Sequence, residues 1–478
     1  MVCFDIGLFI DGRHKNMIDL QNVSFQYADS TYGVTNINLT IKAGECVVLT
    51  GKSGCGKTTI TRLINGLAPK YYKGTIKGSI RIAGKDIEMM PSYDISKIVG
   101  SIFQDPQRQF FSSELEGEIA FGCENYGFSK YEIQKRTREA IHEMKLESIG
   151  KTTLDLLSSG EKQRTAIASV YAMHPKVFVF DEPTANMDKD GIVQMKSILM
   201  QLKKAGHTLL IAEHRLSWTE GLADRYLYME NGQIKHDYSS LEFSTMNDLE
   251  RISKGLRCIK NRPFTKQITT PRTDNIAILG ERISFKKNKK QILKNVDIFA
   301  NEKSVTAITG NNGAGKTSLA LILSGLEKST EGNVYIRGEK VGHKELRKYT
   351  YYCSNDTGTQ FFTESVLKEL LIGIRYDAKL LENAKKLLKD MCLYEYKDSH
   401  PASLSGGQKQ RLAICCALLS GKNILILDEP TSGLDAENMF LVARELKKVA
   451  EEKTILVITH DEEFMDACCE YRINIDKT

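Results

Sequence analysis

The chain has 478 residues, a formal net charge of +6 and 41% hydrophobic residues. This length suits two or three domains, and the charge argues only weakly for an anionic partner. No apolar run approaches the roughly 20 residues of a membrane-spanning helix, and the eleven cysteines are scattered without a zinc-type CxxC pair, as in proteins of a reducing compartment.

The N-terminal stretch MVCFDIGLFIDGRHK is apolar in part, but Asp5 and Asp11 interrupt it and it has no basic start, so no signal peptide is expected. A first domain is predicted over 17–240. There the apolar run CVVLT enters GKSGCGKTT, Gly51–Thr59, and the helical pattern TTITRLINGL follows. This is strand, glycine loop, helix. The N–H groups of such a loop, aimed by the helix N-terminus, bind phosphate oxygens. Gly51, Gly54 and Gly56 allow the tight turn, with Ser53 and Cys55 between them. Lys57 is placed for the β- and γ-phosphates, Thr58 offers a hydroxyl to Mg²⁺, and Thr59 completes the binding stretch. Next come FQDPQRQFF, LSSGEKQR with Ser158 and Gly160, and VFVF before Asp181 and Glu182. His214 follows the apolar run TLLIA. Runs that are apolar on both faces fit parallel strands covered by helices. Trp218 is expected as a packed helix residue.

A polar, basic segment over 241–273, with Pro263 and Pro271, is predicted to be a linker. A second domain is predicted over 274–478, and it repeats the same motifs in the same order. The loop GNNGAGKTS supplies Gly310, Asn312, Gly313, Ala314, Gly315, Lys316, Thr317 and Ser318. LSGGQKQR supplies Ser405, Gly406, Gly407 and Gln408. Asp428 and Glu429 end ILIL, and His460 follows TILVIT. A carboxylate ending a buried strand is costly unless a cation neutralises it. Asp181 and Asp428 are therefore candidate Mg²⁺ residues, with Thr58 and Thr317. Glu182 and Glu429 are candidate bases for an attacking water, and His214 and His460 candidate γ-phosphate sensors.

Glycine loop, LSGGQ-type signature, Asp-Glu strand end and following histidine together resemble the ATP-binding cassette (ABC) ATPases over nearly the whole chain. The resemblance implies two tandem α/β P-loop NTPase domains. Each would have a mostly parallel sheet flanked by helices, a helical signature subdomain and a small antiparallel β region. It implies ATP and Mg²⁺ as cofactors, Gln104 as a further Mg²⁺ contact, and head-to-tail cassettes with each ATP between one P-loop and the other signature. Ser405, Gly406, Gly407 and Gln408 would then close on ATP at Gly51–Thr59, and Ser158 and Gly160 on ATP at Gly310–Ser318. The loops of Asp188 and Asp435 would cross the interface. Whether one chain closes on itself or two chains exchange halves stays open.

The halves part at three places. Tyr27 stands where the family stacks an aromatic on adenine, and Lys287 stands there in the second half. Gln104 matches Asn355, and LSSGE matches LSGGQ. All three departures fall on the composite site of the second P-loop. Loss of a base–aromatic stack costs about 1–3 kcal/mol, so a weaker but working second site is expected.

The segments Phe103–Phe111 and Gln360–Phe362 match the family's docking region for a membrane subunit. Gln-x-x-x-x-Gln-Phe-Phe resembles the energy-coupling factor branch of vitamin and cobalt importers. The implied partners are a transmembrane scaffold subunit and a membrane substrate-binding subunit. No nucleic acid is expected, and the chain would sit peripherally on the cytoplasmic face of the cell membrane. The alternative is a soluble tandem ATPase acting on ribosomes or nucleic acid. The short, proline-bearing linker and the lack of an iron–sulfur cysteine run speak against it.

Overall fold

The computed structural model describes residues 16–28, 32–150, 152–185, 187–260, 275–288, 290–356, 360–373 and 377–477. The N-terminal stretch MVCFDIGLFIDGRHK, Pro263 and Pro271 lie outside the described residues. The chain divides into two compact units, Met1–Asn261 and Arg262–Thr478.

In the first unit the strands are β1 Asn16–Tyr27, β2 Gly33–Lys42, β3 Cys46–Gly51, β4 Gly74–Ile82, β5 Lys85–Asp86, β6 Val99–Ile102, β7 Val177–Asp181, β8 Thr208–Ala212, β9 Arg225–Glu230 and β10 Gln233–Ser239. They form an antiparallel sheet of order β2-β1-β4-β5 and a six-stranded sheet of order β10-β9-β3-β8-β7-β6. The second sheet is parallel apart from its β10–β9 edge.

The apolar runs behave as a period of two predicts. Along β7, Val177 and Val179 face one core and Phe178 and Phe180 the other. Along β8, Leu210 and Ala212 share a core with the antiparallel sheet, while Leu209 and Ile211 pack beneath the signature-bearing helices. Both faces are buried, so an alternating polar pattern has no place in these strands.

The second unit repeats the plan with β11 Ile276–Lys287, β12 Lys290–Asn301, β13 Val305–Thr309, β14 Glu331–Ile336, β15 Glu339–Lys340, β16 Thr350–Cys353, β17 Ile424–Asp428, β18 Thr454–Ile458 and β19 Tyr471–Asn474. Its sheets run β12-β11-β14-β15 and β16-β17-β18-β13-β19, the latter parallel throughout. The expected fold class, two α/β cassettes each with a small antiparallel sheet, is what the chain adopts.

One boundary differs from the sequence reading. The segment 241–260, assigned to the linker, folds onto the first unit. Helices Ser240–Ser244 and Asp248–Ser253 form there, and Phe243, Leu256 and Ile259 enter the core. Phe243 stacks on Tyr226 with centroids 4.0 Å apart. Its high charge hid the segment, although a capping box of Ser239 and Glu242 marks its start. Trp218 is buried as expected, in a short turn rather than a helix interior.

Candidate functional site

Each glycine loop joins the end of a central strand to the first helix of its unit: β3 to Lys57–Ile64, and β13 to Lys316–Leu323. Gly51 and Gly56 are forced choices. Their φ values are +144° and +106°, and a Cβ would lie 2.2 Å from Met229 O at the first and 2.7 Å from Val34 Cγ1 at the second. Ser53, Gly54 and Cys55 make the turn between them, as Asn312, Gly313 and Ala314 do between Gly310 and Gly315. Lys57 and Lys316 are buried and fold back over their loops. Lys57 Nζ donates to Gly51 O at 3.1 Å and Lys52 O at 3.2 Å. Lys316 Nζ donates to Gly310 O at 2.5 Å and Asn311 O at 3.0 Å. Cys55 is buried with Sγ 3.7 Å from Lys57 Nζ.

The helix start and the strand end converge. Thr58 Oγ1 donates to Asp181 Oδ1 at 3.3 Å, and Thr317 Oγ1 to Asp428 Oδ2 at 2.8 Å. Burial, then the neighbouring Glu182 carboxylate, pushes the Asp181 carboxyl up to about 6. Burial likewise raises Asp428, against the Thr317 and Tyr352 hydroxyls that pull it down. A carboxylate driven upward beside a threonine hydroxyl is a hard-oxygen donor set that a Mg²⁺ ion would restore to its ionised form. The residues present thus fit that cation.

Glu182 and Glu429 both lie in the left-handed backbone region, with φ of +48° and +45°. In the first unit Gln104 Nε2 donates to Glu182 Oε2 at 3.0 Å, and His214 Nε2 stands 3.4 Å from Glu182 Oε1. Gln104, Glu182 and His214 therefore form one cluster on the candidate base. In the second unit Thr459 Oγ1 donates to Glu429 Oε2 at 3.3 Å, and His460 follows Thr459 directly.

The segments behind these bases are tied down by carboxylates that the sequence reading missed. Buried Glu213 accepts from Thr184 Oγ1 at 2.8 Å and from the N–H groups of His214 and Arg215 at 2.8 and 3.0 Å. In the second unit Asp461, beyond the histidine, accepts from Thr431 Oγ1 at 2.8 Å. The signal was present as Ala-Glu-His in one half and Thr-His-Asp in the other.

Tyr27 lies beside the first loop. Its hydroxyl is 3.2 Å from Thr59 Oγ1 and accepts from Arg62 Nη1 at 3.1 Å. Arg62 sits 3.8 Å over the Tyr72 ring, so Arg62 and Tyr72 also belong to this neighbourhood. Lys287 is exposed at the end of β11.

The signatures start helices. Ser158 caps Ser159–Tyr171, whose first turn holds Gly160, and Ser405 caps Gly406–Leu419, whose first turn holds Gly406, Gly407 and Gln408. Each has a capping box, with Glu161 in the first and Gln408 in the second. The Ser158 hydroxyl donates to Glu161 Oε2 at 2.7 Å. Asp188 and Asp435 are buried and cap the next helices, accepting from Gly191 N and Asn438 N, each at 2.8 Å.

The family model described as "ABC transporter" matches residues 34–185 and 293–432, bracketing both loops and both Asp-Glu pairs. The chain belongs to the ABC transporter family. It is an ATP-binding, ATP-hydrolysing member with two cassettes in one polypeptide. A Treponema denticola protein with the provisional name ABC transporter ATP-binding protein is 39% identical over 95% of this chain and 94% of its own length. A Bacillus subtilis (strain 168) protein, YkoD, provisionally named for HMP/thiamine import, is 29% identical over 94% of this chain and 88% of its own. The ABC fold of the whole chain also resembles a solved structure described as ribosome-bound archaeal Pelota and ABCE1. The TM-score is 0.69 and the identity 23%, over 95% of this chain and 76% of that one; this likeness is one of fold.

Proposed function

We propose that the chain powers a membrane importer of the energy-coupling factor type, moving a vitamin, a vitamin precursor or a transition-metal ion. The observation that carries this reading is a surface built the same way in both units. Phe111 and Phe362 are 75% and 82% exposed, yet their backbone is fixed from beneath. Buried Glu118 accepts from the N–H groups of Phe111 and Ser112 at 2.8 and 2.9 Å. Buried Glu369 does the same for Phe362 and Thr363 at 3.0 and 2.8 Å. Gln109 and Gln360 tie each segment back by donating side-chain amide N–H groups to Ser101 O and Ser354 O, both at 3.1 Å. A rigid, exposed aromatic suits insertion of an apolar helix from a membrane subunit. Among the described residues no helix is long and apolar enough to cross a membrane, so a transport path would belong to partner subunits. The similarity to a protein named for HMP/thiamine import supports the same reading.

In the proposed cycle, Ser405, Gly406, Gly407 and Gln408 close on ATP at the first P-loop, and Ser158 and Gly160 on ATP at the second. Bound Mg²⁺ would neutralise phosphate charge beside Thr58 and Asp181, and beside Thr317 and Asp428. Glu182, gripped by Gln104 and His214, is placed to take the proton of the attacking water. Closure would move the aromatic segments, and with them the docked subunits. The chain would therefore act at the cytoplasmic face of the membrane, bound to a scaffold subunit and a substrate-binding subunit.

Affinity purification from membranes tests this. Hydrophobic subunits should co-purify, and Phe111→Ala with Phe362→Ala should release them. The second reading is action on the ribosome or nucleic acid. Co-purification of ribosomal RNA, with no membrane subunit, would replace the first reading with that one.

A further inference from the structure

The strand-end aspartates of the two units have different neighbours, although their motifs align. Asp428 Oδ2 accepts two hydroxyls at once, from Thr317 at 2.8 Å and from Tyr352 at 3.1 Å. Tyr352 lies on β16, paired with Ile426 of β17, which brings its phenol alongside the end of that strand. The matching position on β6 is Ser101, paired with Val179. Its short side chain instead accepts from Asn65 Nδ2 at 3.1 Å, while Asp181 meets Thr58 through Oδ1 at 3.3 Å. The half-buried Tyr352 phenol donates its O–H to the Asp428 carboxylate.

A carboxylate oxygen offers about two lone pairs, so Oδ2 of Asp428 is fully engaged by these two hydroxyls. A cation recruiting Thr317 and Asp428 must draw Oδ2 from the phenol or accept a carboxylate whose charge is partly spent on it. Asp181 has no tyrosine at the equivalent strand position. We infer that Tyr352 is a positioning residue that competes with the cation for Asp428 and makes the second nucleotide site the weaker metal binder. The inference rests on the reading that Asp428 serves Mg²⁺. It adds a source of asymmetry on the edge strand β16, separate from the adenine and signature differences.

The test uses the full chain carrying Lys57→Ala, which disables the first loop, with ADP and Mn²⁺ as the probe. Free Mn²⁺ is followed by electron paramagnetic resonance. Tyr352→Phe and Tyr352→Ser should each tighten Mn²⁺ binding by about ten- to a hundredfold, the range for release of one competing hydrogen bond to a charged group. Binding of a fluorescent nucleotide without metal should stay unchanged, which reports an intact loop. Unchanged or weaker Mn²⁺ binding in Tyr352→Phe, with Asp428→Asn abolishing it, overturns the inference and leaves the metal assignment standing. Mn²⁺ binding that survives Asp428→Asn removes the assignment and the inference together.

Discussion

Glu182 and Glu429 share a backbone conformation that costs a non-glycine residue about 1–2 kcal/mol. The same strain recurs at the candidate base of both units, which is where a functional site stores it. Gln104 and His214 hold Glu182 at 3.0 and 3.4 Å. In the second unit Asn355 replaces the glutamine and shortens that reach by a methylene. Glu182→Gln should lower steady-state hydrolysis, assayed with the membrane partner, by about 10²- to 10⁴-fold. Glu429→Gln should lower it less. Equal losses in the two variants would remove the asymmetry. The motifs named both glutamates, but a string of letters carries no φ angle. It also did not show that Tyr352 reaches Asp428, since that contact depends on the register of β16 against β17.

At the scale of elements, the signature helices differ at their first turns. Glu161 takes the Ser158 hydroxyl, and its carboxylate adds negative charge where a phosphate would approach. Gln408 completes the other capping box without charge. Burial raises the Glu161 carboxyl, but hydrogen bonds from the Ser158 hydroxyl and N–H outweigh it and hold it below the usual range. Its stabilising contribution is thus present above the ordinary carboxylate pKa and is lost as pH falls through the lowered one. Glu161→Gln should flatten the acid limb of the melting-temperature profile below pH about 4. In the Lys57→Ala background it should also tighten ATP binding at the second loop severalfold. A steeper acid limb, or unchanged ATP affinity, would contradict this.

Glu118 and Glu369 act on the aromatic segments from inside the fold. Glu118→Ala leaves two backbone N–H groups without their carboxylate, at a cost of about 1–3 kcal/mol each where they stay buried. Partner-stimulated hydrolysis should fall in this variant while nucleotide binding persists, as measured by titration with and without membrane partner. The central strands were readable in advance because an unbroken apolar run admits few alternatives to a doubly covered strand. The helices over 240–253 were not, because they are short, charged and held by the single aromatic Phe243.

At the scale of the whole molecule, the repeat itself was the most legible feature. Two ordered motif sets implied two cassettes, and the two units carry the same pair of sheets in the same strand order, apart from an extra antiparallel edge strand in the first. The proposed engine needs more than two copies of a fold. In the proposed cycle each lobe would supply a signature to its sibling's nucleotide. Small-angle scattering of the purified Glu182→Gln variant, with and without ATP and Mg²⁺, measures this directly. A decrease in the radius of gyration that is independent of protein concentration and absent from Lys57→Ala is the predicted result. An unchanged radius, or a compaction that survives Lys57→Ala, would contradict it.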